Sequence, residues 1–588
     1  MENWNLQLLY KDIKDPQIEK DIQKSKKEVN NFVNKWSKNK EYLKDPQVLS
    51  LALRDYEKLM EGYGICKKPG YYIALSRSLN QEDSLLKAKE NLLYTTCVQL
   101  ENNIQFFILN ISKIPKNQQN IFLNSKYLIK YKHFLQSCFN EAKYILSDKE
   151  ERIFNLKSKT SYNNWVDMTS QLLSKQMITV IDDKGEKKKV TYNEVSKYLN
   201  SKNKEVRDTA AQSFYNVNSR YLEIAEFEIN SILEDKRNSD EYRNIKRVDL
   251  PRLLSDDIQS EVIDTLRESV TNHFDISQRY YKLKAKLLKQ NTLAYYERNV
   301  NLGEVDKEYP FEESFNIVKS VFEKLDPEFP KILDVYISQG RYDVYPQKGK
   351  QGGAFCISVG SKYPTYILLN HNSKLEDVLT IAHESGHGIH TEYANTQNYL
   401  NQGYSTACAE TASTFFEDFV LKEISKELDK RDKDILLLKS LEDDISSIFR
   451  QIACYNFELR LHTEFKQKGF LSIDEISNIF SDEMSKYLGS AVLKDKHMNA
   501  GWLYWSHIRN PFYTYSYATG LLISKYLQNI VRENKQNIKY VKDFFKAGDS
   551  KSPKEIFKDI GIDISQKEFW ESGILTVEDK LKYLEKQF

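Results

Sequence analysis

The chain has 588 residues, and 86 lysines and arginines nearly cancel 84 aspartates and glutamates to leave a net charge of +2. That balance predicts no nucleic-acid or other polyanionic partner, and basic runs such as Lys187-Lys188-Lys189 read as solvated loop. No apolar run reaches membrane-spanning length, the opening residues carry Glu2 and no apolar core, and the six cysteines form no CxxC pair, so the expectation is a cytoplasmic protein with no membrane segment, no signal peptide and reduced thiols.

Sparse proline (12) and glycine (20) point to a mainly helical chain, long enough for roughly three to four domain-sized units. Residues 1–180 read as a succession of amphipathic helices, exemplified by the runs that begin at Asp45-Pro46 and at Leu85-Leu86. The charged turn Asp182 to Lys189 marks a boundary, which gives an N-terminal helical region, 1–185, and a catalytic region, 186–588. Residues 190–345 read as helical again, with a break at Leu250-Pro251 and a loop from Val305 to Pro310. Two β-rich runs follow, Ala354 to Val359 and Thr365 to Asn370, joined by Gly360 to Pro364 as a hairpin. The glycine-rich lead-in, Lys348 to Gly353, lacks the GxxxxGK[ST] pattern of a phosphate loop, and no helix follows it. A sheet edge here can take an extended peptide as an added strand, so Gly353, Ala354 and Phe355 are candidate substrate contacts.

Next comes a helix. Ser373 to Glu376 has the spacing of a capping box with Ser373 at the N-cap, and Leu375, Val378, Leu379 and Ala382 recur at helical spacing. It carries His383-Glu384-Ser385-Gly386-His387, an HExxH motif. Histidines four apart on a helix share a face and can hold one zinc ion, while the glutamate between them can take a proton from water. The plain alternative is an amphipathic helix with two incidental histidines. A catalytic zinc needs a third protein ligand, and Glu410 supplies a carboxylate on a helix whose Ala407, Ala409, Ala412 and Ser413 allow close approach. Glu417, two turns on, can hydrogen-bond a ligating histidine. His390 occupies the place of the glycine in the HExxHxxGxxH pattern and reads as a packing histidine or as one that supports a ligand from behind.

Near the C-terminus, His507, Arg509-Asn510-Pro511, Tyr513, Tyr515 and Tyr517 cluster. A hydroxyl or imidazole donor there can stabilise an oxyanion. With 38 tyrosines in the chain, such clusters also arise from composition alone. If the segment is helical, Tyr513 and Tyr517 share a face and Tyr515 points away.

On these blocks the chain resembles the thimet oligopeptidase family of zinc metallopeptidases, most closely its bacterial oligoendopeptidase F branch. The matching residues are Gly349-Lys350, Gly353-Ala354-Phe355-Cys356, Tyr366 to Asn370, His383-Glu384 with Gly386-His387 and His390, Ala409-Glu410 with Ser413 and Glu417, and His507 with Pro511 to Gly520. Trp4 and Leu8-Leu9-Tyr10 are similar to that branch's opening. The resemblance implies a mainly α, zincin-type ellipsoid with a deep substrate channel and a small β-sheet beside the zinc helix. It implies one Zn²⁺ per chain on His383, His387 and Glu410, with Glu384 as general base and His507 with Tyr513 or Tyr517 at the oxyanion. The implied activity is endopeptidase cleavage of short unfolded peptides; the chain dictates no oligomeric state, and a monomer is compatible with it. Ser385 departs from the Leu or Phe usual at its position, and the tyrosine spacing differs from that of the animal enzymes. Two rival readings stand beside this one. A carboxypeptidase or dipeptidyl carboxypeptidase would need a cation for the substrate's C-terminus, for which Arg509 is the candidate. A non-catalytic peptide-binding scaffold would have no use for Glu384.

Overall fold

The computed structural model describes residues 2–62 and 65–588, with side chains throughout except at positions 148, 406 and 407. Ala407, one of the small residues expected to flank Glu410, therefore lies outside the described side chains.

The expected mainly helical fold with one small sheet beside the histidine helix is what the chain forms, with a second hairpin added. Strands β1 (Met177–Ile181) and β2 (Lys187–Thr191) pair antiparallel. Strands β3 (Tyr342–Asp343), β4 (Phe355–Ile357) and β5 (Tyr366–Leu368) form a sheet in the order β3-β5-β4. The expected β4–β5 hairpin is present in shorter form, with Cys356 opposite Ile367.

The hairpin at 177–191 was missed, although its signal is local. Met177 to Ile181 alternates exposed and buried, and Ile178, Val180 and Val190 are buried together with Val195 and Ala210. Asp182 closes the turn by accepting the N–H groups of Lys184 and Glu186, both at 2.9 Å, with Gly185 at φ 81°. The lysine run forms the solvent side of β2.

Contacts divide the chain into two interleaved units. Unit 1 comprises Met1–Lys143, Asp306–Lys426 and Leu527–Ile562; unit 2 comprises Tyr144–Val305, Glu427–Tyr526 and Asp563–Phe588. The charged turn at 182–189 lies within the first continuous segment of unit 2.

In unit 1 the chain's first residues clamp the sheet. The Trp4 indole donates to the Ile367 carbonyl (2.8 Å), and the Trp4 N–H donates to Asp343 (3.2 Å). Asp343 is also paired with Lys350 at 2.7 Å, both side chains almost fully buried. The Trp4 ring packs edge-on against Phe355 and Tyr366, which fixes β4 beside helix α1 (Leu375–Ala394). The α1 cap differs from the expected one. The helix begins at Leu375, and Asp377, not Glu376, is the capping acid, accepting from the N–H of Lys374 (2.9 Å) and of Asn372 (2.7 Å). Ser373 is left-handed (φ 60°), which turns both N–H groups toward one carboxylate.

Unit 2 is a helical body with buried charge. Asp444 holds Lys525 and Lys580, each at 2.7 Å, and all three are largely or wholly buried. Removing one partner of such a group costs about 3–5 kcal/mol, because it strands a buried charge.

Candidate active site

Helix α1 is buried on nearly every side, yet His383 and His387 stay partly open on one face. Helix α2 (Thr406–Ile424) brings Glu410 to that face. The approach depends on Gly386. A Cβ there would sit 2.9 Å from the Ser413 Cα and 3.0 Å from the Ala412 carbonyl, closer than packed atoms tolerate. The glycine inside the HExxH motif and the small residues around Glu410 are therefore two halves of one contact.

The Glu410 Oε2 lies 3.4 Å from His383 Nε2 and 3.8 Å from His387 Nε2. All three ligand atoms fall within 4.8 Å of one another, and this is the single such group among the described residues. Tetrahedral zinc with bonds of about 2.0–2.1 Å separates its donors by roughly 3.3 Å, so the set fits a metal with small adjustments. His383 donates its Nδ1–H to Glu417 (3.1 Å), which aims Nε2 at the common centre.

The charges point the same way. Burial opposes a charge on His383, but hydrogen bonds to Glu410 and Glu417 outweigh it and hold its pKa near about 10. Glu410, despite burial, is held down at about 2 by His383 and His387. His387 is pushed down to about 4 by burial and by the charge on His383. The carboxylates thus demand a cation at this point, and without a metal His383 supplies it. Glu384 is 6% exposed. Burial lifts its carboxyl to about 7; the His383 charge pulls it down, the Glu410 charge adds to the rise, and the Cys356 N–H opposes it. A carboxyl poised near neutrality can both take and return a proton.

The neighbours explain the two unusual residues of α1. Ser385 shares a 2.8 Å hydrogen bond with the Tyr342 hydroxyl, which satisfies a polar group at a buried position and ties α1 to β3. His390 is buried and stacked on Tyr404 at 3.9 Å, with Phe545 at 4.9 Å, and burial keeps it neutral. It packs, the first of the two expected roles.

Gly353, Ala354 and Phe355 enter β4, the outer strand of its sheet, beside α1. The Gly353 carbonyl already accepts from Asn370 (2.7 Å), the Ile357 carbonyl from Tyr71 (2.8 Å), and the Cys356 N–H serves the Glu384 carboxylate, so part of this edge is engaged by the protein's own groups.

The other candidates belong to unit 2. His507 lies 5.2 Å from the Tyr513 ring and 5.7 Å from that of Tyr517, and the two tyrosines are 5.8 Å apart. Tyr515, the first residue of helix α3 (Tyr515–Glu533), turns inward and donates to Asp256 at 2.6 Å. Tyr513 and Tyr517 therefore fall together and Tyr515 apart, the expected division, although Tyr513 stands in the turn ahead of α3 and not on the helix. Burial and the Arg450 charge lower the His507 pKa, so its imidazole is neutral and keeps one N–H to donate. The turn ahead of α3 is fixed by Glu458, which accepts the N–H of Phe512 (2.9 Å), a residue held left-handed at φ 67°.

Arg509 is not the free cation a carboxypeptidase would need. It is 7% exposed, forms a two-point pair with Glu228 (2.8 and 3.1 Å), and donates to the Trp502 carbonyl (2.7 Å). Sequence reasoning missed Glu228, Glu458 and Asp256, the residues that hold this region in shape. They lie 281, 54 and 259 positions from their partners, and no local pattern announces them.

The chain is also similar to known proteins. A family model described as Peptidase family M3 matches residues 197–575, and one described as Oligopeptidase F matches residues 110–175. The chain is 27% identical to the oligopeptidase PepF of Bacillus subtilis over 91% of this chain and 80% of that one. It is 26% identical to an oligoendopeptidase F homolog of Borreliella burgdorferi, over 94% of this chain and 97% of that one. A crystal structure from Chlamydophila abortus superposes on 100% of this chain and 98% of that chain, with a TM-score of 0.86 at 20% identity, which shows a shared fold. Among the described residues no helix is long and apolar enough to cross a membrane.

Proposed function

The chain belongs to peptidase family M3, a metallopeptidase family, and we propose that it is a zinc-dependent endopeptidase that cuts short unfolded peptides with Glu384 as its proton carrier. The observation that carries this reading is the convergence of His383, His387 and Glu410 on one point with the buried Glu384 beside them. Two imidazoles and one carboxylate are a donor set suited to catalytic zinc. Bound there, zinc supplies a Lewis acid and makes water acidic enough to attack near neutral pH.

The protein's own groups do the rest. Glu384 takes the proton from the attacking water and passes it to the leaving amine nitrogen, and its burial strengthens its hold on that proton. Glu417 keeps His383 oriented. The backbone of Gly353, Ala354 and Phe355 takes the substrate as an added strand. His507 with Tyr513 and Tyr517 donates to the developing oxyanion; their shared face supports this assignment. Short peptides are the substrate class named by the oligopeptidase relatives. Six scattered cysteines with no CxxC pair fit a cytoplasmic setting. The carboxypeptidase alternative loses its cation to Glu228.

The test is a quenched peptide blocked at both ends, incubated with and without a chelator and then with zinc restored. Cleavage that stops with chelator and returns with zinc is expected. Cleavage only of peptides with a free C-terminus would overturn the endopeptidase assignment, and a rate indifferent to chelator would overturn the metal.

A further inference from the structure

Beside His507 stands a second arginine, and its charge is not spent as that of Arg509 is. Arg450 closes the π-helical turn Ile445–Arg450, an irregular kind of turn that recurs at functional sites. Its guanidinium lies 5.5 Å from the centre of the Trp505 ring, and that ring lies 6.3 Å from His507. Arg450, Trp505, His507, Tyr513 and Tyr517 are each partly exposed. The arginine therefore opens beside the groups assigned to the oxyanion.

Among the described residues Arg450 makes no ion pair and no hydrogen bond. Packing seals its Nε, whereas its two terminal nitrogens are not sealed. The titratable groups that feel its charge bring no negative charge of their own. Burial holds Tyr281, Tyr295, Tyr487 and Cys454 protonated and keeps His507 neutral. Glu442, which also faces Tyr281, is taken by Lys284 at 2.7 Å, and Glu458, which faces Cys454, is kept protonated by burial up to about 8. A guanidinium half out of water and stacked over a ring has given up part of its hydration, yet it still presents a rigid fork of N–H groups. That fork matches the two oxygens of a carboxylate.

We propose that Arg450 is a substrate-binding residue that selects peptides with an aspartate or glutamate side chain near the bond to be cut, holding its carboxylate by a two-point contact. The inference rests on the endopeptidase reading: with chain on both sides of the cut, the carboxylate that reaches this face belongs to a side chain and not to the peptide's end. It asks nothing of the metal and adds no step to the reaction.

Quenched peptides blocked at both ends, with one glutamate moved along the sequence and glutamine at the same place in each control, test it. At one position the glutamate peptide is expected to show a kcat/KM at least about tenfold above its control, carried by KM, the scale of a charge-assisted hydrogen bond. Added salt is expected to shrink the ratio. Arg450→Gln is expected to bring the ratio to about one, and Arg450→Lys, which keeps the charge and loses the fork, to preserve part of it. A variant that merely loosened the fold would slow both peptides alike and leave the ratio standing. A ratio near one at every position, a ratio that survives Arg450→Gln, or an advantage that appears only when the peptide's C-terminus is free would overturn the proposal. Failure to cut any peptide of the series would instead refute the peptidase reading. Calorimetric titration with the same pairs then decides for Arg450: tighter binding of a glutamate peptide that Arg450→Gln abolishes supports the site, and equal binding of every pair overturns it.

Discussion

The α1–α2 pair of unit 1 and the 501–517 segment of unit 2 hold their functional side chains by opposite means. In α1 the position of each group follows from helical spacing: His383 and His387 share a face because they are four apart, and Gly386 lets α2 deliver Glu410. In unit 2 the group-bearing segment is a turn. His507, Tyr513 and Tyr517 converge because Arg509 is pinned by Glu228, Phe512 by Glu458 and Tyr515 by Asp256. A helix carries its geometry in its own repeat, whereas a turn borrows it from distant residues. Substitutions should therefore fail differently in the two regions, by chemistry in the first and by support in the second.

The largest effect is expected at Glu384. Glu384→Gln keeps shape and cannot accept a proton, so turnover should fall at least about 10⁴-fold, the upper end for general acid–base catalysis, with zinc still bound one per chain. Metal analysis beside kinetics checks both halves; a near-normal rate would remove Glu384 from the mechanism.

Glu228→Ala should break the second region without touching the first. It leaves Arg509 buried and unpaired, at a cost of about 3–5 kcal/mol. Calorimetry should show a lower melting transition while zinc content stays unchanged at low temperature. Loss of zinc together with stability would erase the distinction between the regions.

The tyrosines come next. Tyr513→Phe or Tyr517→Phe should lower kcat by roughly ten- to a thousand-fold with little change in KM, as expected for a donor used in the transition state. Tyr515→Phe should spare kcat and lower stability by about 1–3 kcal/mol, because it leaves Asp256 without that hydroxyl. A slow enzyme from Tyr515→Phe alone would reverse the face assignment.

Gly386→Val should act through packing. Forcing a branched side chain toward Ser413 and Ala412 costs about 1–3 kcal/mol and moves Glu410 off the common point, so zinc should bind 10- to 100-fold more weakly. Unchanged zinc affinity would mean that the helices have slack.

Glu458 offers the smallest effect, read against pH. Burial lifts its carboxyl to about 8, above the ordinary value of 4.5. Between those values the folded chain holds a proton that the unfolded chain has released, so this group's contribution to stability is full below about 4.5 and declines as pH rises to about 8. Glu458→Gln, neutral throughout, should show a shallower fall in melting temperature from pH 5 to pH 9 than the parent. An identical slope would dismiss Glu458 as a source of the pH dependence.

How far the sequence could be read follows from the same contrast. The histidine helix and the meeting of Glu410 with His383 and His387 were legible because spacing and small residues are local signals. The inward turn of Tyr515 came out as expected, but through its bond to Asp256 and with Tyr513 outside the helix that the spacing assumed. The cap of α1 was placed one residue early, since Ser373-Glu376 and Lys374-Asp377 offer the same spacing and only the left-handed Ser373 decides between them. Arg509 looked like a free cation because its acid lies in another part of the chain. Strand β3 has two residues and exists through pairing with β5, so it leaves no pattern of its own.

The interleaving of the two units bears on how the protein is made. Each unit draws on three separated stretches, and the last contribution to each comes from beyond residue 526. Unit 1 waits for Phe544 and Phe545, and Phe545 packs on His390 of α1. Unit 2 waits for the Lys567–Gln587 helix with its buried Trp570, Val577 and Leu581. Neither body is finished until its stretch beyond residue 526 has left the ribosome, so the N-terminal half cannot fold as a completed domain while the rest is being made. Both cores are closed by late-made helices, and a peptidase assembled in that order acquires its cutting power only after those helices have joined.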